Sequence, residues 1–338
     1  MPEPAALSKR FHLYGPEIGA FLQIFRFSVQ ICGEFVAHGR LKPLQTRPNA
    51  TAMEENLTFR TTAARAGSPV LVTVPHAGRI YPEALLAQAR VDAAALLPLE
   101  DRYADLMTRA VEASEHCVMK MGMARAWIDL NRGEDEIDPA AIGMGRGDLP
   151  MRVTAKVRGG LGLIPTRLGG LGSLWKGPLD ADDVRMRIET VHRPWHGQIA
   201  TTLAEMQARF GQAVLIDLHS MPPVQHWRQP GPVPRIVIGD RYGQSVSTGL
   251  VLALEDEIRA TGLAVSRNHP YPGGYTLDRH GRPAHGVHAV QIEVDRSLYL
   301  DKACMEPGAG LATAQKLIAR LVDRASAFLS ADWPLAAE

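Results

Sequence analysis

Residues Ala213–Ser220 read AVLIDLHS, an apolar run that closes on an aspartate, a histidine and a serine. A run this apolar belongs to a strand covered on both faces, the kind found at the centre of an α/β sheet. With a side-chain period of two, Leu215, Asp217 and His219 point to one face, and Ile216, Leu218 and Ser220 to the other. In open α/β sheets, ligands gather beyond the carboxyl ends of such strands, where His219 stands. A lone histidine there is either a hydrogen-bonded structural residue or a metal or catalytic ligand, and the other strands must decide.

Two further segments repeat the design. PVLVTVPHAG (69–78) runs through Val70, Val72 and Val74 and delivers His76 on the same parity, followed by Gly78. HAVQIEV (288–294) places Gln291 and Glu293 on one face against Val290, Ile292 and Val294 on the other. An ionised glutamate between apolar neighbours is costly to bury without a partner. Glu293 is thus either a salt-bridged structural residue, with Arg296 as partner, or a general base. Imidazole is the commonest protein ligand for zinc, and a catalytic zinc site takes about three protein ligands plus an open position. Asp217, two residues before His219, suits an acceptor that orients a ligand from behind or an ordinary buried acceptor.

The chain has 338 residues, of which 46% are hydrophobic and 22% charged, enough to bury a substantial core. Lysine and arginine number 37 against 36 acids, so nothing draws it to nucleic acid or a charged membrane surface, and a small-molecule partner is expected. Cys32, Cys117 and Cys304 form no CxxC pair, which argues against a disulfide framework and a thiolate zinc site and suits a reducing cytoplasm. The run IGAFLQIFRFSVQIC is interrupted by Gln23, Arg26 and Gln30, too polar for a membrane span or an ordinary signal peptide.

Residues 1–55 lack a clean period and read as an N-terminal extension of poorly ordered character, leaving 56–332 as a single domain. From there strands and helices alternate: strand LTFRTT, strand PVLVTVPH, a helix over 92–114, strand ARAWIDLN, and a long glycine-rich stretch from Gly133 to Gly177. A helical segment from Asp180 to Phe210, broken at Pro194, precedes AVLIDLHS. RIVIGD, a helix over Ser245–Thr261, LAVSRNHPYPGGY, HAVQIEVD and a closing helix over Gly310–Leu329 complete the order. This alternation predicts an α/β fold, a three-layer α/β/α sandwich. Long loops inside a compact domain are usually functional, which marks Gly133–Gly177. No GxxxxGK[ST] is present and no GxGxxG follows a strand into a helix, so nucleotide binding is disfavoured.

Taken together, VPHAG, WIDLNRGEDE, GGLGLIP, RPWHGQI, IDLHSMP, VIGDRYGQS, NHPYPGGY and HAVQIEVDRSLYLD occur in an order that resembles the N-formylglutamate amidohydrolase family over about Pro69 to Asp301. The resemblance implies a mixed central sheet related to that of zinc carboxypeptidases and hydrolysis of the N-acyl amide bond of an amino acid, N-formyl-L-glutamate first. It implies His76, His219 and a carboxylate as ligands of Zn2+ or another divalent transition metal. Asp101 in LPLEDRYADL is the carboxylate by that resemblance, with Glu100 its alternative; the family's Asp-Thr-Asp-Trp stands here as Leu99, Glu100, Asp101 and Arg102, and Ala77 replaces a common serine. Glu293 would be the general base. Asn131 and Arg132 resemble the Asn-Arg pair with which zinc carboxypeptidases hold a carboxylate, a role suited to the planar guanidinium fork. The alternative for Arg132 is an ion pair with Glu134, Asp135 or Glu136. His196 would line the pocket or merely pack, Tyr271, Gly273 and Gly274 would shape a turn beside the site, and Arg296 would fix Glu293 or touch substrate. Other N-acyl amino acid hydrolases, carboxypeptidase-like enzymes and a non-catalytic metal- and ligand-binding homologue are the competing readings.

Overall fold

Apolar and β-branched residues fill the long strands so completely that both sheet faces have to be covered, and the helices supply the cover. The computed structural model describes residues 59–61, 67–114, 116–143, 147, 149–224 and 230–331. The expected N-terminal extension lies outside these residues. Seven strands form the main sheet: β1 (Phe59–Thr61), β2 (Val70–Val74), β3 (Cys117–Met121), β6 (Ala213–Met221), β7 (Ile236–Gly239), β8 (Val265–Arg267) and β9 (Val287–Asp295). Their order is β1-β3-β2-β6-β9-β7-β8, and β4 (Arg167–Leu168) and β5 (Gly172–Ser173) make a separate ribbon. β3, β2, β6 and β9 run parallel, whereas β1 and β7 lie antiparallel to their inner neighbours, so the sheet is mixed. β6 is central and all nine of its residues are buried.

One sheet face is the main core. Val70, Val72 and Val74, Val214, Ile216 and Leu218, and Val290, Ile292 and Val294 pack there with α2 (Thr248–Arg259) and α4 (Leu311–Ala331). The opposite face carries Thr73, Asp217, His219, Gln291 and Glu293, and is backed by α1 (Arg193–Phe210) and α3 (Tyr275–His280). Among the described residues no helix is long and apolar enough to cross a membrane.

Four expectations are corrected. The helix over 92–114 is broken into short pieces, with Glu100 extended and Tyr103 left-handed at φ 57°. That break lets the Asp101 amide donate to His76 O at 2.9 Å and turns its carboxylate inward. ARAWIDLN is not a strand: CVMKM at 117–121 takes that place, and Ala124–Asn131 is a buried turn. Its apolar residues are covered by packing on the loop's several sides, which mimics a strand in composition. His76 does not follow the parity of Val70, Val72 and Val74, because β2 ends at Val74 and the chain bends through Pro75 and His76 to the opposite face. Pro194 does not break the helical segment. A π-helical turn at Ile188–His192 precedes it, and the wider turn accommodates the missing N–H and the ring clash that proline brings.

Candidate metal centre and active site

The parallel register of β6 and β9 sets His219 directly beside Glu293, and Asp217 beside Gln291. His76 reaches the same place from the end of β2, and its ring lies 4.7 Å from that of His219, centroid to centroid. Asp101 completes the group. One ligand atom from each of His76, Asp101 and His219 falls within 4.8 Å of the others, and all three residues are buried.

The hydrogen bonds sort the nitrogens. His76 Nε2 donates to Asp129 Oδ1 at 2.8 Å, and His219 Nε2 donates to Asp217 Oδ2 at 2.9 Å. Thr73 Oγ1 in turn donates to Asp217 Oδ1 at 2.7 Å. Each imidazole is therefore held from behind by a carboxylate, which fixes the tautomer and turns Nδ1 inward, the usual support of a metal-bound histidine. His76 Nδ1 is buried with no hydrogen-bond partner, and Asp101 Oδ2 lies 3.6 Å from it and 3.0 Å from His219 Nδ1. An orphaned buried nitrogen is costly, and a cation between these three atoms would satisfy it.

Electrostatics agree with that fit. Burial opposes charge on His219, yet Asp217 and Asp101 outweigh it and hold its proton well above the ordinary histidine range. Burial likewise opposes ionisation of Asp101, but the hydrogen bond from His219, with the His76 ring close beside it, keeps it well below the usual carboxylate range. The site demands positive charge. Its nitrogen and oxygen donors suit zinc or another divalent transition metal.

Glu100 faces elsewhere: Arg102 NH1 donates to its Oε2 at 3.0 Å, and the Tyr81 hydroxyl donates to Oε1. Arg296 does not pair with Glu293. Its Nε donates to Ser220 Oγ at 3.1 Å and its NH2 to Glu100 O and Asp101 Oδ1, at 2.6 and 3.3 Å, which leaves Asp101 Oδ2 free for the centre. Gln291 Nε2 donates to Glu293 Oε1 at 2.7 Å, and Asn131 Nδ2 donates to Gln291 Oε1 at 3.2 Å. Burial pushes the Glu293 carboxyl up to about 7, with nearby His219 working against it.

Arg132 Nε donates to Leu161 O at 2.8 Å and its NH1 to Asn131 O at 2.5 Å, so one guanidinium nitrogen, NH2, remains for a ligand. It does not bridge the acidic run; Glu134 is held by Arg193, Asp135 by Arg152, and Glu136 by Thr154. Gly274 is required where it stands, since a Cβ would lie 2.5 Å from Asn131 Oδ1, and Gly273 has φ 94°. Tyr271 is half-buried, its proton held more tightly by burial and by the neighbouring charge of Glu293. His196 is corrected: it is fully buried, with Nε2 donating to Leu130 O and Nδ1 accepting from His280 Nε2, both at 2.9 Å, so no nitrogen is left for substrate.

Arg125 and Asp129, the carboxylate behind His76, are residues sequence reasoning missed. Arg125 Nε donates to Asp129 Oδ2 at 2.8 Å, its NH2 lies 2.7 Å from the same oxygen in an ion pair, and its charge acts on Asp101 and Glu293 as well. A single arginine inside the apolar stretch MARAWIDL was the available signal.

The chain is similar to proteins already known. The sequence model of the family described as N-formylglutamate amidohydrolase matches residues 68–300. N-formylglutamate deformylase of Pseudomonas aeruginosa is 30% identical over 272 residues, covering 79% of this chain and 94% of that protein. The enzyme of the same name from Pseudomonas putida is 28% identical over 237 residues, covering 69% and 82%. The crystal structure of N-formylglutamate amidohydrolase from Ralstonia eutropha JMP134 superposes with a TM-score of 0.76 at 30% identity, covering 82% of this chain and 99% of the other.

Proposed function

This chain belongs to the N-formylglutamate amidohydrolase family, and on that premise we propose that it is a metal-dependent enzyme that hydrolyses N-formyl-L-glutamate to L-glutamate and formate. The observation that carries the reading is the buried His76, Asp101 and His219 triangle with Glu293 beside it in register. His76 Nδ1, Asp101 Oδ2 and His219 Nδ1 would hold the ion. Bound there, a divalent metal supplies Lewis-acid activation of water and of the acyl carbonyl.

The chain's own residues do the rest. Glu293 takes a proton from the attacking water as its oxygen bonds to the formyl carbon. It then delivers that proton to the amine nitrogen as the C–N bond breaks, a role typically worth about 100- to 10,000-fold in rate. Gln291 holds one Glu293 oxygen and leaves the other to face the water. Arg132 NH2 receives the α-carboxylate, and Gly274 lets Asn131 keep the turn that carries it. Arg125, which offers NH1 beyond its pair with Asp129, stabilises negative charge on the acyl oxygen. Tyr271 closes one wall beside Glu293, and Arg296 orients Asp101.

Metal analysis of the purified protein together with formate release from N-formyl-L-glutamate tests the proposal. Wild type is expected to contain about one divalent ion per chain and to turn over, His219→Ala to lose the ion, and Glu293→Gln to keep it while losing about 100-fold or more in kcat. Metal-free protein with full activity would overturn it. A panel of other N-acyl amino acids separates this substrate from its relatives.

A further inference from the structure

Two buried histidines take no part in the chemistry above, yet both are aimed at one turn. His192 Nε2 donates to Arg132 O at 2.8 Å, and His196 Nε2 donates to Leu130 O at 2.9 Å. The two carbonyls bracket Asn131. Both rings are fully buried, 4.5 Å apart between centroids. They stand four residues apart, across the junction of the π-helical turn and α1, and so share a helix face.

The proton positions follow from the partners. A carbonyl oxygen only accepts, so each Nε2 carries the hydrogen. His196 uses its other nitrogen to accept from His280, whereas His192 Nδ1 is buried with no hydrogen-bond partner, 3.6 Å from Glu134 Oε1. Core packing alone would favour an apolar side chain over an imidazole with an orphaned nitrogen. What the imidazole achieves here is a grip on the Arg132 backbone. The side chain of Arg132 is steered separately, through Leu161 O, so the His192 bond sets where the guanidinium begins and the Leu161 bond sets how it points.

We propose that His192 is a positioning residue for Arg132, fixing the backbone from which that guanidinium meets the substrate's α-carboxylate. The assignment rests on the reading of Arg132 given above. It does not extend to the base, because Asn131 Oδ1 is held independently by the Thr276 amide at 3.0 Å, and the Asn131 link to Gln291 survives without His192. Loss of His192 therefore weakens substrate binding and spares the chemical step.

The test compares wild type with His192→Met, which removes the donor, His192→Asn, which is too short to reach the carbonyl, and His192→Gln, whose amide nitrogen reaches the Nε2 position. Substrates are N-formyl-L-glutamate and its α-carboxamide, and binding of L-glutamate is measured by calorimetry. For Met and Asn, KM for the acid is expected to rise about tenfold with kcat within about twofold, and glutamate binding to weaken in parallel. Gln is expected to restore both, and kcat/KM for the carboxamide to be equal across all four proteins. An unchanged KM in both Met and Asn, a fall in kcat alone, or an equal loss on the carboxamide would overturn the assignment. Wild type that releases formate from neither substrate would overturn the reading of the substrate itself, and the assignment with it.

Discussion

Asp217 and His219, two residues apart on one face of β6, are joined by a 2.9 Å hydrogen bond from the imidazole Nε2 to the carboxylate. Strand geometry alone places them side by side, and the bond decides which nitrogen of His219 faces the centre. Thr73 on the neighbouring strand holds the other Asp217 oxygen, so the carboxylate has no freedom to swing away.

Substituting Asp217→Asn is therefore expected to weaken metal affinity about 10- to 100-fold while leaving the fold intact. Competition with a chelator, followed by metal analysis, measures it. Wild-type affinity in the variant would show that His219 needs no orienting partner.

The Glu293 carboxyl gives a pH dependence with a definite sign. Burial raises it from its ordinary value to about 7, and a base must be unprotonated, so activity falls as pH falls. A bound cation beside it favours the carboxylate and moves the midpoint down. The acid limb of kcat/KM is thus expected at or below pH 7, and above the ordinary glutamate value of about 4.3. The limb should vanish from the residual activity of Glu293→Gln. A limb that stays in place in that variant would assign the titration to another group.

The strands that carry this chemistry were legible because they are simple. Each of β6 and β9 is a buried run with a period of two, so Asp217, His219 and Glu293 fell on predictable faces. Asp101 was not legible from periodicity. It lies where a helical pattern is interrupted for the sake of the site, and local propensity at Ala93–Glu112 has no means of registering a contact with His76. Arg125 was hidden for a related reason, since Ala124–Asn131 is apolar like a strand but is a turn enclosed on several sides. His192 gave no signal at all. Its importance lies in a carbonyl 60 residues away in sequence.

That enclosed turn has its own anchor in Arg187, fully buried beneath it. The guanidinium lies 3.7 Å from the Trp127 ring centroid, donates to Trp127 O at 3.1 Å, and reaches Asp183 and Gln88 at 2.6 and 3.0 Å. Arg187→Met is expected to cost about 2–4 kcal/mol, since it removes a stacked cation and strands its acceptors. Lysine is not expected to rescue, because a compact ammonium cannot stack and fork together. Denaturant midpoints for both variants decide, and a lysine variant as stable as wild type would reduce Arg187 to a simple charge.

The buried histidines behind the turn predict acid sensitivity. Burial lowers His280 to about 3 and holds His196 well below its ordinary value. In the unfolded chain both titrate near 6.5, so below about that pH the unfolded state binds more protons than the folded one. Stability due to this pair is complete above about pH 6.5 and is lost as pH falls toward 3, at up to about 1.4 kcal/mol per pH unit for each histidine. Urea midpoints at pH 7.5, 5.5 and 4.5 measure the slope. His280→Phe removes one of the two protons from the balance and is expected to lose less stability than wild type over the same interval, even where it starts lower at pH 7.5. Equal slopes in the two proteins would mean that His280 is charged inside the folded chain, which its burial and the nearby charge of Arg279 oppose.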